Sequence, residues 1–249
     1  MTNASVLSAD VGALVGAGAG RSPQPIGGFG PVDLVMLDRL AEALGRRLAR
    51  LHGPADGDTA PAVQPWPLSP TCVLPEMAAA VPGSVLDGVL AVAEEPEVRD
   101  ALEAAGRDWT GSATIHGEIL GAQVDTWLSA MPRALDDGAD LVTFIDLGVA
   151  RGAGDPGWDL VSVEGALRAR DPRPGRPAVG HCIAAYHDAG GPGSRTPQLR
   201  CAFSLVEAWR LALSLRYPRR RSEVARIEVM VALARRHATA PMVSSRART

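Results

Sequence analysis

Lysine is missing from this chain: all 25 of its basic residues are arginine. Chemistry that needs a lysine of its own is thereby excluded, whether a P-loop lysine on phosphate, a Schiff-base amine or a strand lysine that pairs nucleotide phosphates. Cysteine is scarce. Cys72, Cys182 and Cys201 lie far apart with no Cys-x-x-Cys pair, so neither a disulfide framework nor a structural zinc site is expected. Charge of one sign is lacking too: a formal net charge of −3 offers no basic footprint for nucleic acid and no acidic bulk of the disordered kind. No apolar run is long enough to cross a bilayer. The nearest, Val11–Gly20, is made mostly of small residues, and Asp10 with no basic residue before it makes a poor signal peptide. A cytoplasmic protein is expected, with neither nucleic acid nor membrane among its partners.

What is present is enough apolar residue, 46% of 249, to bury a sizeable core. Residues 1–32 are glycine-rich and read as a flexible leader, residues 33–240 as one domain, and 241–249 as a tail. The first helix is expected over Asp33–His52. There Leu37, Leu40, Ala41, Leu44, Leu48 and Leu51 recur at spacings of three and four, Asp33 offers an N-cap, and Gly53-Pro54 a stop. A proline-rich loop follows over 53–83. Helices are expected from Ser84, with Asp87 in the capping-box position, and from Pro96 to Gly106. Val124–Leu128 and Leu141–Ile145 read as two short strands of a long hairpin, separated by Pro132 and Asp136-Asp137-Gly138. Further helices are expected over Trp158–Arg170, over Pro177–Ala189, from Thr196-Pro197 to Tyr217, and from Ser222 to about His237.

Taken singly, the polar residues say little. His52, His187 and His237 lie near helix ends or faces and read as surface or packing residues. Arg219-Arg220-Arg221 reads as a solvated turn, and Trp66, Trp109, Trp127, Trp158 and Trp209 as core or rim aromatics. One ordered set stands out. His116-Gly117-Glu118 is followed five residues on by Gln123, then by Ile145-Asp146-Leu147-Gly148, then by Gly154-Asp155-Pro156-Gly157-Trp158-Asp159-Leu160. Leu48–His52 precede it, and Ala184-Ala185-Tyr186 and Gly190-Gly191-Pro192 come after.

Over about residues 33–217 this series resembles the C-terminal lobe of the aminoglycoside phosphotransferase and choline kinase family, which has the protein-kinase fold. That family carries His-Gly-Asp, four residues, Asn, a strand ending Ile-Asp-x-Gly, and Gly-Asp-Pro-x-x-Asp-Leu. The resemblance implies a mainly α (α+β) domain, a kinase-like C-lobe with a small β hairpin at the site. It places Glu118 at the catalytic-base position, Gln123 and Asp146 at the metal-ligand positions, and His116 and Asp159 as braces of the catalytic loop. It also implies magnesium and ATP, because phosphoryl transfer needs a base for the substrate proton and oxygen ligands for the metal.

The sequence departs from that pattern. Glu118 and Gln123 replace aspartate and asparagine, each longer by one methylene, and a misplacement of about 1 Å can cost roughly a hundredfold in rate. About thirty residues precede the Asp33–His52 helix, too few for a strand-rich nucleotide-binding lobe, which is therefore expected to be absent. A binding or partner subunit, or a repurposed catalyst, in specialised peptide or small-molecule biosynthesis is expected. The alternative is an active phosphotransferase whose N-lobe another chain supplies. A small molecule or peptide would occupy the cleft, and a second copy or a partner protein would cover the missing-lobe face.

Overall fold

Asp33 turns the backbone into the first helix. Its carboxylate accepts the Val35 and Met36 N–H groups at 2.9 and 3.2 Å, taking up two donors that a helix start leaves unpaired. In the computed structural model, which describes residues 33–53, 64, 65, 67, 68, 84–117, 119, 121–147, 152–214 and 221–241, α1 then runs over Leu34–Leu51. Helices α2 (Ser84–Ala93) and α3 (Pro96–Asp108) follow, then strand β1 (Ala113–Ile115) and helix α4 (Gly121–Asp136). The one-turn α5 (Leu141–Phe144) and strand β2 (Gly152–Gly154) lead into α6 (Pro156–Arg168), α7 (Pro177–Asp188), α8 (Pro197–Ser214) and α9 (Arg221–Ala238). Among the described residues the fold is mainly helical with one two-stranded antiparallel sheet, and those from Asp33 onward belong to one unit. Among the described residues no helix is long and apolar enough to cross a membrane.

The centre of the domain is α6. Eleven of its thirteen residues are buried, and every buried polar side chain on it must find a partner inside. On one side α8 packs against α9, α2 and α3, with Trp158 and Val161 of α6 reaching into that cluster. On the other, α1 lies on α7, and its Leu37, Leu40, Leu44 and Leu48 are fully buried. Ion pairs pin the periphery: Arg235 of α9 bonds Glu95 ahead of α3, and Arg173 bridges Asp171 to Asp38 on α1.

Two expectations about the β structure are corrected. Val124–Leu128 and Leu141–Ile145 are not strands of a hairpin. The first lies in α4, where Val124, Trp127 and Met131 form a buried stripe at helical spacing. Five residues rich in Val, Thr and Trp imitate a strand, and only the sixteen-residue window shows the period. Pro132 sits inside that helix instead of in a turn. The second stretch is mostly one helical turn, started by Asp140, whose carboxylate accepts the Val142 N–H at 3.2 Å. The sheet is made elsewhere: Ala113, Thr114 and Ile115 pair with Gly154, Ala153 and Gly152, across 36 intervening residues. Gly-Ala-Gly has no strand propensity of its own. It pairs because it is drawn against β1, and a Cβ at Gly154 would overlap the Ile115 side chain.

Candidate functional site

The His116-Gly117 part of the motif meets the first two turns of α6. Asp155 caps that helix by accepting the Gly157 N–H at 2.8 Å, with Pro156 at its first position, where a missing N–H costs nothing. Four residues on, Asp159 is fully buried. Its Oδ2 accepts the His116 backbone N–H and its Oδ1 the Gly117 backbone N–H, both at 2.7 Å. The indole N–H of Trp158 donates to the Gly117 carbonyl at 2.7 Å, and the Ile119 N–H donates to the Ser162 hydroxyl at 3.1 Å. Four backbone groups of the 116–119 loop are thus held by three adjacent side chains of one helix. Gly117 has φ +91°, a conformation that a side chain would strain, so this loop shape requires the glycine of the His-Gly pair.

Behind the loop the same carboxylate meets His52. The His52 Nε2 lies 3.0 Å from Asp159 Oδ2, and its Nδ1 lies 2.9 Å from the Tyr186 hydroxyl, which also accepts the Gly193 N–H at 2.8 Å. One proton assignment satisfies the whole chain. Tyr186 donates to Nδ1, and the His52 Nε2–H donates to Asp159. His52 is therefore no surface or simple packing residue: it is 2% exposed and joins α1, α6 and α7. Its position was readable as the next step, after Leu44 and Leu48, of the buried stripe on α1. Tyr186 likewise continues the Ala178–Cys182 stripe of α7, and glycine at 191 leaves room for its ring.

The other residues implied by the resemblance are placed as follows. His116 is buried on the loop. Gln123 stands in the first turn of α4, half-buried, on a helix where the pattern has a loop running into a strand. Asp146 is exposed between buried Ile145 and Leu147, just after α5, and Arg47 of α1 donates to the Ile145 carbonyl at 3.2 Å. Glu118 lies outside the described residues, as do Gly148, Cys72, Trp66 and residues 1–32. Among the described residues no three His, Cys, Asp or Glu side chains gather where they could hold a metal ion. One exposed carboxylate and one amide on a helix do not by themselves make a magnesium centre, which is usually completed by substrate phosphates and water.

Burial pushes the Tyr186 hydroxyl up to about 12, against the Gly193 N–H and with the charges of Asp159 and Asp155. Burial does the same to the Cys182 and Cys201 thiols, both raised to about 12. In the unfolded chain these groups ionise from about pH 9 (thiols) and pH 10 (tyrosine). Their raised values mean that stability is full below pH 9 and is lost as pH rises toward 12. With no lysine to titrate in that window, these acids contribute to the alkaline limb. Urea unfolding from pH 8 to 11 is expected to show a steep fall beginning near pH 9. In a Cys182→Ala/Cys201→Ala variant the onset should move to about pH 10; an unmoved onset would contradict the assignment. Asp155 is also raised, by burial against the N–H groups of Gly157 and Thr110 that it accepts.

Compared with protein-family models, curated proteins and solved structures, the chain matches none.

Proposed function

We propose that this chain is a kinase-like C-lobe scaffold that works as a binding or partner subunit, in the cytoplasm, holding a small molecule or peptide beside the 116–119 loop. The observation that carries this reading is the Asp159 clasp, one buried carboxylate holding two successive N–H groups of the His-Gly loop while a histidine from α1 backs it. The parts of the pattern that hold shape are assembled, whereas those that would do chemistry are altered. Glu118 and Gln123 are each one methylene too long, Gln123 rides on a helix, and no lysine is present to pair phosphates. The role suits specialised peptide or small-molecule biosynthesis, where a partner protein or second copy would lie over the face between α1 and the loop. The exposed side of α1 carries Val35, Arg39, Glu42, Arg46 and Arg50, so a contact there would be polar with one apolar anchor.

The four-point hold on the loop also suits a second reading, an active phosphotransferase whose N-lobe comes from another chain, with ATP and magnesium as its cofactors. One experiment separates them. Sedimentation of the pure protein is expected to show self-association, and incubation with labelled ATP and magnesium no phosphoryl transfer. Transfer by the pure chain, abolished by Asp146→Ala, would overturn the scaffold reading. Transfer that appears only with a nucleotide-binding partner would establish the second.

A further inference from the structure

Five residues along α6 from Asp159, about 7.5 Å along the helix axis, Glu164 is buried with its side chain 6% exposed. Three guanidiniums from two parts of the chain surround it. Arg168 Nη2 lies 2.7 Å from Oε1, while Arg195 Nη1 and Arg200 Nε both donate to Oε2 at 3.0 Å. Three positive charges on one carboxylate leave a formal surplus of two. An isolated ion pair would need only one arginine, and two more on a single acceptor add like-charge repulsion among the guanidiniums. Among the described residues, Arg195 and Arg200 each spend one N–H-bearing nitrogen on Glu164, out of five donor hydrogens apiece. Their side chains are 23% and 26% exposed and that of Arg168 is 46% exposed, so each side chain is partly open to solvent.

A fourth group senses the same charges. His237 of α9 is held below the ordinary imidazole range by burial and by the charges of Arg200, Arg168 and Arg236, against the pull of Glu164. The end of α6, the start of α8 and the end of α9 therefore present concentrated positive charge around one anion.

We propose that the Arg168–Arg195–Arg200 cluster, with Glu164 at its base, is an oxyanion site that takes a phosphate group, either the free ion or a phosphomonoester. Forked guanidiniums are the donors best matched to such a group. A doubly charged oxyanion would cancel the surplus. The site stands apart from the Asp159 clasp and does not depend on the kinase-like reading.

The test uses the full-length chain and inorganic phosphate at constant ionic strength, which removes general screening. Calorimetry and the imidazole resonances of His237 are followed. Saturable binding is expected, with the His237 imidazole titrating at higher pH in the complex. Arg195→Gln should weaken binding about tenfold or more, and Glu164→Gln, which removes the competing carboxylate, should tighten it about tenfold. A merely structural ion cluster would destabilise in both variants with no such opposite effects on phosphate. Should Glu164→Gln not fold, Arg168→Gln, on the solvent side, replaces it and should weaken binding. Phenyl phosphate run in parallel separates the sources: tighter binding than phosphate identifies an ester, equal or weaker binding the free ion. Absence of saturable binding, or binding untouched by the arginine substitutions, overturns the proposal.

Discussion

Asp159→Ala is expected to destabilise the protein by about 4 kcal/mol, a large share of the roughly 5–15 kcal/mol that holds a domain folded. The carboxylate is fully buried and takes three donors: the His116 and Gly117 N–H groups and His52 Nε2. Alanine would strand all three where no water replaces the acceptor, and each buried unpaired donor costs about 1–3 kcal/mol. The loss would spread to Tyr186, because His52 links it to the same carboxylate. Asp159→Asn keeps one acceptor oxygen and should fall between. Asp146→Ala is expected to cost less than about 1 kcal/mol, since that carboxylate is exposed. Thermal melts of the three variants, run with and without chelator, check the order. If Asp146→Ala were the more damaging in chelator, the Asp159 clasp would not be what holds the loop.

Gly45→Ala should cost about 3 kcal/mol, against the ordinary gain from replacing a helical glycine. Gly45 is the point where α1 lies closest to α7. A Cβ there would overlap the Cys182 carbonyl oxygen and come within 3.0 Å of the Tyr186 backbone nitrogen. Both are backbone atoms, so no side chain can swing aside and the helices must separate. That separation would draw Tyr186 away from His52, so the variant should also lose the protection of the 116–119 loop against hydrogen exchange. The control is Gly180→Ala on α7. It is exposed with open space around its Cβ position, and should stabilise by about 0.5–1 kcal/mol. Urea midpoints of the two variants should move in opposite directions. Equal shifts would mean that the close approach at Gly45 does not limit the packing.

Local signals sufficed for most of the helices. The Asp33 cap and the leucine stripe define α1, proline at the first position marks α7 and α8, and Thr196 caps the latter by accepting the Leu199 N–H at 3.2 Å. Helix α6 begins two residues earlier than the apolar pattern alone suggested, because Asp155-Pro156 is its cap and first residue. A helix closes its hydrogen bonds within four residues, so its spacing and end residues sit in one short window of sequence. At Val124–Leu128 the same short window misleads, because five residues lack the buried face that Met131 completes.

By itself, then, the sequence determined the helical plan, the lack of any lysine chemistry, and the ordered motif that singled out His116 and Asp159. Tertiary structure alone decided which groups meet. The pairing of β1 with the strandless-looking Gly152–Gly154, the partners of His52, and the gathering of Arg168, Arg195 and Arg200 on Glu164 all join residues 31 to 134 positions apart, save the local pair of Glu164 with Arg168. Such contacts leave no period in the sequence. They are set when the burial of α6 removes water from its polar side chains, and each must then take whatever donor or acceptor the packed neighbours present.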